Sequence, residues 1–134
     1  MHTIKQYATP AGTIELTIEN NKLTQAVFVD TPSNQEYITT PPALLLQGTP
    51  FQIKVWQAAQ KIPSGVTVTY KELAVTIGHP ASWRAVANAL ANNKISYFIP
   101  CHRIIGSTGK LAGYRWGIER KKLLLEAEGS NYKD

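Results

Sequence analysis

The spacing of turn residues changes near residue 48, and the two patterns on either side call for different kinds of secondary structure. Before that point, short runs rich in β-branched and aromatic residues at 4–8, 13–18 and 23–29 alternate with Thr9-Pro10-Ala11-Gly12 and Glu19-Asn20-Asn21-Lys22. Such runs, joined by such clusters, read as a small antiparallel meander. Residues 31–48 lack periodicity and include Pro41-Pro42, which reads as a linker. Thr49-Pro50 then offers a capping hydroxyl followed by proline at the first helical position. Phe51, Val55, Trp56 and Ala59 recur at helical spacing until Ile62-Pro63-Ser64-Gly65 stops the helix. The expected fold class is α+β, with a β meander and linker over 1–47 and a mainly helical domain over 48–134. At 134 residues the chain has length for one or two small domains with a modest core.

Within the second region, a short extended piece at 66–69 leads into two helical segments, 71–77 and 82–92, around the turn Gly78-His79-Pro80-Ala81. Two short helices about a glycine-containing turn suggest a helix-turn-helix, although many helix pairs of this kind only pack. At a period of 3.6, Trp83, Val86, Ala87 and Leu90 share one side of the second helix, and Arg84, Ala85, Asn88, Ala89 and Asn92 share the other. That exposed side is small and polar with one long cation. It suits close approach to a groove, and it equally suits an ordinary alanine-rich surface helix. Residues 94–99 read as a strand-like apolar run delivering Cys101, followed by Ile104-Ile105 and the turn Gly106-Ser107-Thr108-Gly109. A last amphipathic helix is expected at about 118–128, with Leu124 and Leu125 facing the core.

Charge divides as the pattern does. Lys5 and Lys22 meet four acids before residue 48, whereas twelve lysines and arginines meet five acids from there on. A basic region that also holds the only thiol points to a polyanionic partner, with a solvated basic surface as the plain alternative. Apolar runs fall far short of the ~20 residues that a bilayer requires, so no membrane association is expected. The chain shows no charged-then-apolar leader, and with a single thiol the expected location is the cytoplasm, in association with the nucleoid. There is no internal repeat and no glycine-rich phosphate loop, and His2, His79 and His102 are too scattered to suggest a metal. Neither metal nor cofactor is expected.

The lone cysteine, Cys101, lies in Ile99-Pro100-Cys101-His102-Arg103. It can form no internal disulfide and no multi-cysteine metal site, which leaves an inert buried residue or a nucleophile. An ordinary thiol of pKa ~8.5 is only a few per cent ionised at pH 7, so activation requires roughly 2 kcal/mol from nearby charge or a base. His102 and Arg103 are the available sources.

Taken together, Gly48-Thr49-Pro50-Phe51-Gln52, Val55-Trp56-Gln57-Ala58, Ile62-Pro63-Ser64-Gly65, Tyr70, Arg84-Ala85-Val86, Ile99-Pro100-Cys101-His102-Arg103 and Gly113-Tyr114-Arg115-Trp116-Gly117 resemble the O6-alkylguanine-DNA alkyltransferases, the methylated-DNA-protein-cysteine methyltransferases. The resemblance covers about 48–129. It implies a winged-helix-like DNA-binding domain carrying the active cysteine, and double-stranded DNA containing O6-alkylguanine as partner of a monomer. The helix-turn-helix would enter the minor groove, the damaged guanine would be flipped out, and its alkyl group would pass irreversibly to Cys101. By the same resemblance, O4 of thymine would be a further donor. His102 would act as a base through a water, held by Glu128. Tyr70 would contact the flipped base and protonate it on leaving. Arg84 would fill the vacated stack, with Ser82, Ala85 and Tyr70 also at the DNA. Tyr114, Asn93, Arg115 and Ile104 would form the substrate pocket.

Three positions depart from the family pattern. Trp83 precedes the arginine where the family usually has a smaller residue, Ser96 stands where some relatives carry proline, and residues 1–47 form a shorter amino-terminal part from which lower stability is expected. Two other functions compete: binding of alkylated DNA without transfer, against which the cysteine argues, and thiol hydrolysis by Cys101 and His102. The latter lacks an evident oxyanion loop and leaves Arg84 and the basic region without a role.

Overall fold

The computed structural model describes residues 2–31, 36–38, 40–111 and 113–132. Strands β1 (His2–Thr9), β2 (Gly12–Glu19) and β3 (Lys22–Val29) form the expected meander in the order β1-β2-β3. Both connections are two-residue turns, and Asn20 and Asn21 take φ of 50° and 66°. Asparagine tolerates this left-handed region, which matches the twist of the paired strands. Ile14 and Leu16 of β2 and Leu23, Ala26 and Phe28 of β3 turn one face of the sheet inward.

The segment expected as a linker is bound to the sheet along its described residues. The Ala8 amide donates to Glu36 O at 2.9 Å, the Leu23 amide to Ala43 O at 2.9 Å, and the Leu45 amide to Leu23 O at 2.9 Å. Both sheet edges thereby find partners, which backbone groups at an edge require. No periodicity marks this segment because it pairs through single bridges rather than a ladder.

Helix α1 (Pro50–Gln60) begins at a complete capping box: Thr49 accepts from the Gln52 amide and the Gln52 side chain accepts from the Thr49 amide. Helix α2 (Tyr70–Thr76) begins the same way with Thr69 and Glu72. Helices α3 (Trp83–Ala91) and α4 (Ile118–Ala127) complete the helical part. A short parallel pair, β4 (Val68–Thr69) with β5 (Ile104–Ile105), joins the entrance of α2 to the segment following Cys101. Leu23 and Phe28 of the sheet share one apolar cluster with Trp56, Leu90, Ile99 and Leu124.

Three expectations need correction. Residues 94–99 form no strand: Ile99 N–H returns to Ile95 O at 3.1 Å, with Tyr97 at φ 75° between them. A single bridge joins the run to β3, with the Ala26 amide donating to Lys94 O at 2.8 Å and the Ser96 amide to Ala26 O at 3.0 Å, and the Asn93 side chain pairs with the Ile95 amide and the Ile95 and Ile99 carbonyls. Second, Cys101–Arg103 is one 3-10 turn, so a turn rather than the end of a strand presents Cys101 and His102. Third, the buried side of α3 is Val86, Ala89 and Leu90. Ala89 is turned inward against α1, where the Trp56 indole N–H donates to its carbonyl at 2.8 Å, while Ala87 borders a cavity and Trp83 is half-buried.

Candidate active site

Pro100 is buried and leads into the 3-10 turn that presents Cys101 at a cavity of about 360 Å³. Tyr70, Leu90, Asn93, Tyr114, Arg115 and Trp116 are among the residues around it. Asn93 organises the floor. Its side-chain NH2 lies 3.3 Å from Ile95 O, 3.3 Å from Ile99 O and 3.2 Å from Cys101 Sγ, while its Oδ1 accepts from the Ile95 amide at 2.9 Å. The thiol in turn donates to Leu90 O of α3 at 3.6 Å. Arg115 anchors the cavity's far side by donating to Asn93 O at 3.0 Å, and the Trp116 indole N–H donates to Ser96 Oγ.

Next to Cys101 in the turn, His102 is fully buried. Its Nε2 lies 3.0 Å from Glu128 Oε2 at the carboxyl end of α4. Arg103 fixes that carboxylate with Nε 3.0 Å from Oε1 and Nη2 2.6 Å from Oε2, and its Nη1 donates to Ile62 O at 2.7 Å. Glu128 is separated from this turn by 25 and 26 residues, so its arrival depends on how α4 docks. Tyr97 stacks over His102 with ring centroids 6.4 Å apart, and Tyr114 meets it edge-on at 6.5 Å.

Burial alone would raise the Glu128 carboxyl, but hydrogen bonds from His102 and Arg103 outweigh it and hold the group at about 2. Burial lowers His102 below its ordinary value, and Glu128 only partly opposes this. The imidazole is therefore neutral at pH 7. A carboxylate can only accept, so the ring proton resides on Nε2. Nδ1 then carries the free lone pair, and it is a buried nitrogen without a hydrogen-bond partner among the described residues. Burial pushes the Cys101 thiol up to about 12, although the Asn93 hydrogen bond and the Lys121 charge pull it down. A thiol so placed stays protonated until a base removes its proton. Burial and the neighbouring Cys101 raise both Tyr70 and Tyr114.

The expected site residues thus fall into three places. Cys101, Tyr70, Asn93, Tyr114 and Arg115 meet at the cavity. His102 and Glu128 form the pair behind it. Arg84 and Ala85 are exposed on α3, with Ser82 half-buried at its start, outside the cavity. Ile104 is not in the cavity wall: it is wholly buried in β5 because β4 and α4 cover it. Sequence reasoning missed Lys121, which is fully buried, donates to Ile104 O at 2.7 Å, and is lowered by burial to about 8. A lysine among the charges of a terminal helix carries no local sign of burial. Arg103 was expected to act on the thiol and instead grips Glu128.

Residues 50–130 match the family model described as 6-O-methylguanine DNA methyltransferase, DNA binding domain. A methylated-DNA-protein-cysteine methyltransferase of Kluyveromyces lactis is 55% identical over 83 residues, which is 62% of this chain and 44% of the relative. The bifunctional transcriptional activator/DNA repair enzyme Ada of Escherichia coli is 50% identical over 102 residues, covering 76% of this chain and 27% of Ada. The chain thus spans less than half the length of these two curated relatives. The crystal structure of Mycobacterium tuberculosis OGT in complex with DNA superposes with a TM-score of 0.81 at 34% identity, over 94% of this chain and 92% of that one. A match of that extent takes in the amino-terminal sheet as well as the helices. The site therefore belongs to an α+β fold that presents a thiol at a cavity. This chain is a member of the 6-O-methylguanine DNA methyltransferase family.

Proposed function

We propose that this chain repairs DNA by moving an alkyl group from O6 of guanine onto Cys101, once per molecule. The observation that carries this reading is that one 3-10 turn presents the Cys101 thiol at an open cavity and, at the next residue, holds a buried His102 with its lone pair on Nδ1 and its proton committed to Glu128. The cavity has the size of an ordinary small-molecule site. A guanine enters it only after extrusion from the duplex, at a cost of a few kcal/mol. Arg84 on the exposed face of α3 takes the vacated place in the stack, with Ser82 and Ala85 beside the strand, and its planar guanidinium offsets part of that cost.

His102 Nδ1 accepts the thiol proton through a water, and the sulfur attacks the alkyl carbon. A carbon–sulfur bond forms while the carbon–O6 bond breaks and its electron pair returns to the purine. Tyr70, kept protonated by its raised pKa, gives the purine a proton so that it leaves as neutral guanine. The tyrosine is reprotonated from solvent and the proton held at His102 is released, so charge and atoms balance. The thioether has no route back to a thiol, and the reaction ends there. The same chemistry extends to O4-alkylthymine. All groups used come from one chain, so the protein works as a monomer on chromosomal DNA of the cytoplasm, without metal or cofactor.

Intact mass after mixing with duplex DNA containing O6-methylguanine tests this. One methyl adduct on Cys101, at a stoichiometry of about one per molecule, is the expected result. Protein that binds the duplex and stays unmodified overturns the reading.

A further inference from the structure

A second hollow, of about 300 Å³, adjoins the thiol cavity and has no part in the chemistry above. Tyr70, Lys71, Trp83, Gly106 and Ser107 line it, between the starts of α2 and α3 and the turn after β5. Tyr70 borders both hollows. Trp83 is half-buried and packs in part against the apolar cluster, while also bordering this hollow. Two cations stand at its indole: Lys71 Nζ 5.7 Å from the ring centroid and the Arg84 guanidinium at 5.1 Å.

An aromatic surface flanked by cations and by a glycine-serine turn suits a flat or apolar group joined to an anion. In a protein that works on DNA, that description fits a nucleotide, with its base or sugar on the indole and its phosphate toward Lys71. We propose that this hollow receives the nucleotide adjacent to the alkylated guanine on the same strand. The inference rests on the proposed function and deepens it. Once a guanine has passed Tyr70 into the cavity, the next unit of its strand emerges on the other side of that ring. When Arg84 leaves the Trp83 ring to enter the gap left by extrusion, it uncovers the indole, and that surface receives the neighbour. The bulky residue beside Arg84 is thus a positioning residue for the strand.

Single-turnover methyl transfer under subsaturating conditions tests the idea on three duplexes: one intact, and two with an abasic site immediately 5′ or 3′ of O6-methylguanine. Removing a neighbouring base weakens the duplex stack and by itself makes extrusion easier. Transfer is therefore expected to hold or accelerate if the protein ignores its neighbours. With the Trp83 platform in use, the abasic site on one side instead slows transfer about tenfold. Trp83→Phe retains most of this difference and Trp83→Ala abolishes it, with circular dichroism confirming that each variant is folded. Equal or faster transfer from both abasic duplexes by the unmodified protein overturns the inference, whatever the variants do. A penalty that persists in folded Trp83→Ala also overturns it. No transfer even from the intact duplex would instead refute the proposed function.

Discussion

Acid reaches the site through two side chains that touch each other. His102 has its folded pKa pushed below 6.5 by burial, and Glu128 has its own lowered from 4.5 to about 2 by His102 and Arg103. In both cases the unfolded chain binds protons more readily than the folded one, so stability falls as pH falls. The His102 contribution begins to be lost as pH drops through about 6.5, and that of Glu128 between about 4.5 and about 2. The Glu128 share is on the order of 3 kcal/mol, and its side chain is only 12% exposed. Denaturant titrations at stepped pH should show this decline, and Glu128→Gln should flatten the lower part of it. The same substitution leaves the imidazole tautomer undecided and Arg103 without its anion. Transfer is expected to slow by about 100-fold, measured in a single turnover above pH 7.

At the scale of elements, the catalytic geometry depends on where helices begin. Tyr70 is the first residue of α2, and the cap that sets that start is the reciprocal bonding of Thr69 and Glu72, at 2.9 and 3.0 Å. Thr69→Ala removes half of the box and should cost about 1 kcal/mol. Chemical denaturation checks that value, and transfer should slow as well because the Tyr70 ring loses its fixed origin. Helix starts of this sort are written locally, which is why Thr49-Pro50 and the start of α1 could be read from the chain. The meander could be read for the same reason, since its turns carry their own asparagines and glycine. The path of residues 94–99 could not. An apolar run has strand character unless something else satisfies its backbone, and here Asn93 does so for Ile95 and Ile99 from outside the run, while a single bridge ties it to Ala26 of β3. The inward turn of Ala89 likewise depends on a distant tryptophan. Cys101 stood out by its neighbours alone, while Glu128 was placed beside His102 only through the family resemblance. Lys121 escaped both routes.

For the molecule as a whole, the boundary near residue 48 in the sequence is not a boundary in the core. Phe28 of the sheet is 5% exposed and meets Trp116 of the cavity edge-on at 6.0 Å. Arg120 of α4 lies over the Phe28 ring at 4.9 Å and donates to Ala11 O at 3.1 Å. Phe28→Ala should therefore cost about 3 to 5 kcal/mol and lower a single melting transition. Calorimetry that resolves two transitions, with only one shifted, would mean that sheet and helices melt independently. The expected weakness of the amino-terminal part thus has its counterweight in contacts that this part makes with the cavity wall.

The knot tied by Asn93 sets a limit of another kind. Its NH2 group faces two carbonyl oxygens and the sulfur at once, an arrangement that only a donor can occupy. Slow hydrolysis of that carboxamide, the common chemical ageing of asparagine, would replace the donor with an anionic oxygen aimed at the same three acceptors. The aged protein would keep its thiol and the exposed face of α3 while its nucleophile became harder to ionise. Under the proposed function, time alone, without any lesion, would then retire a molecule meant to act once.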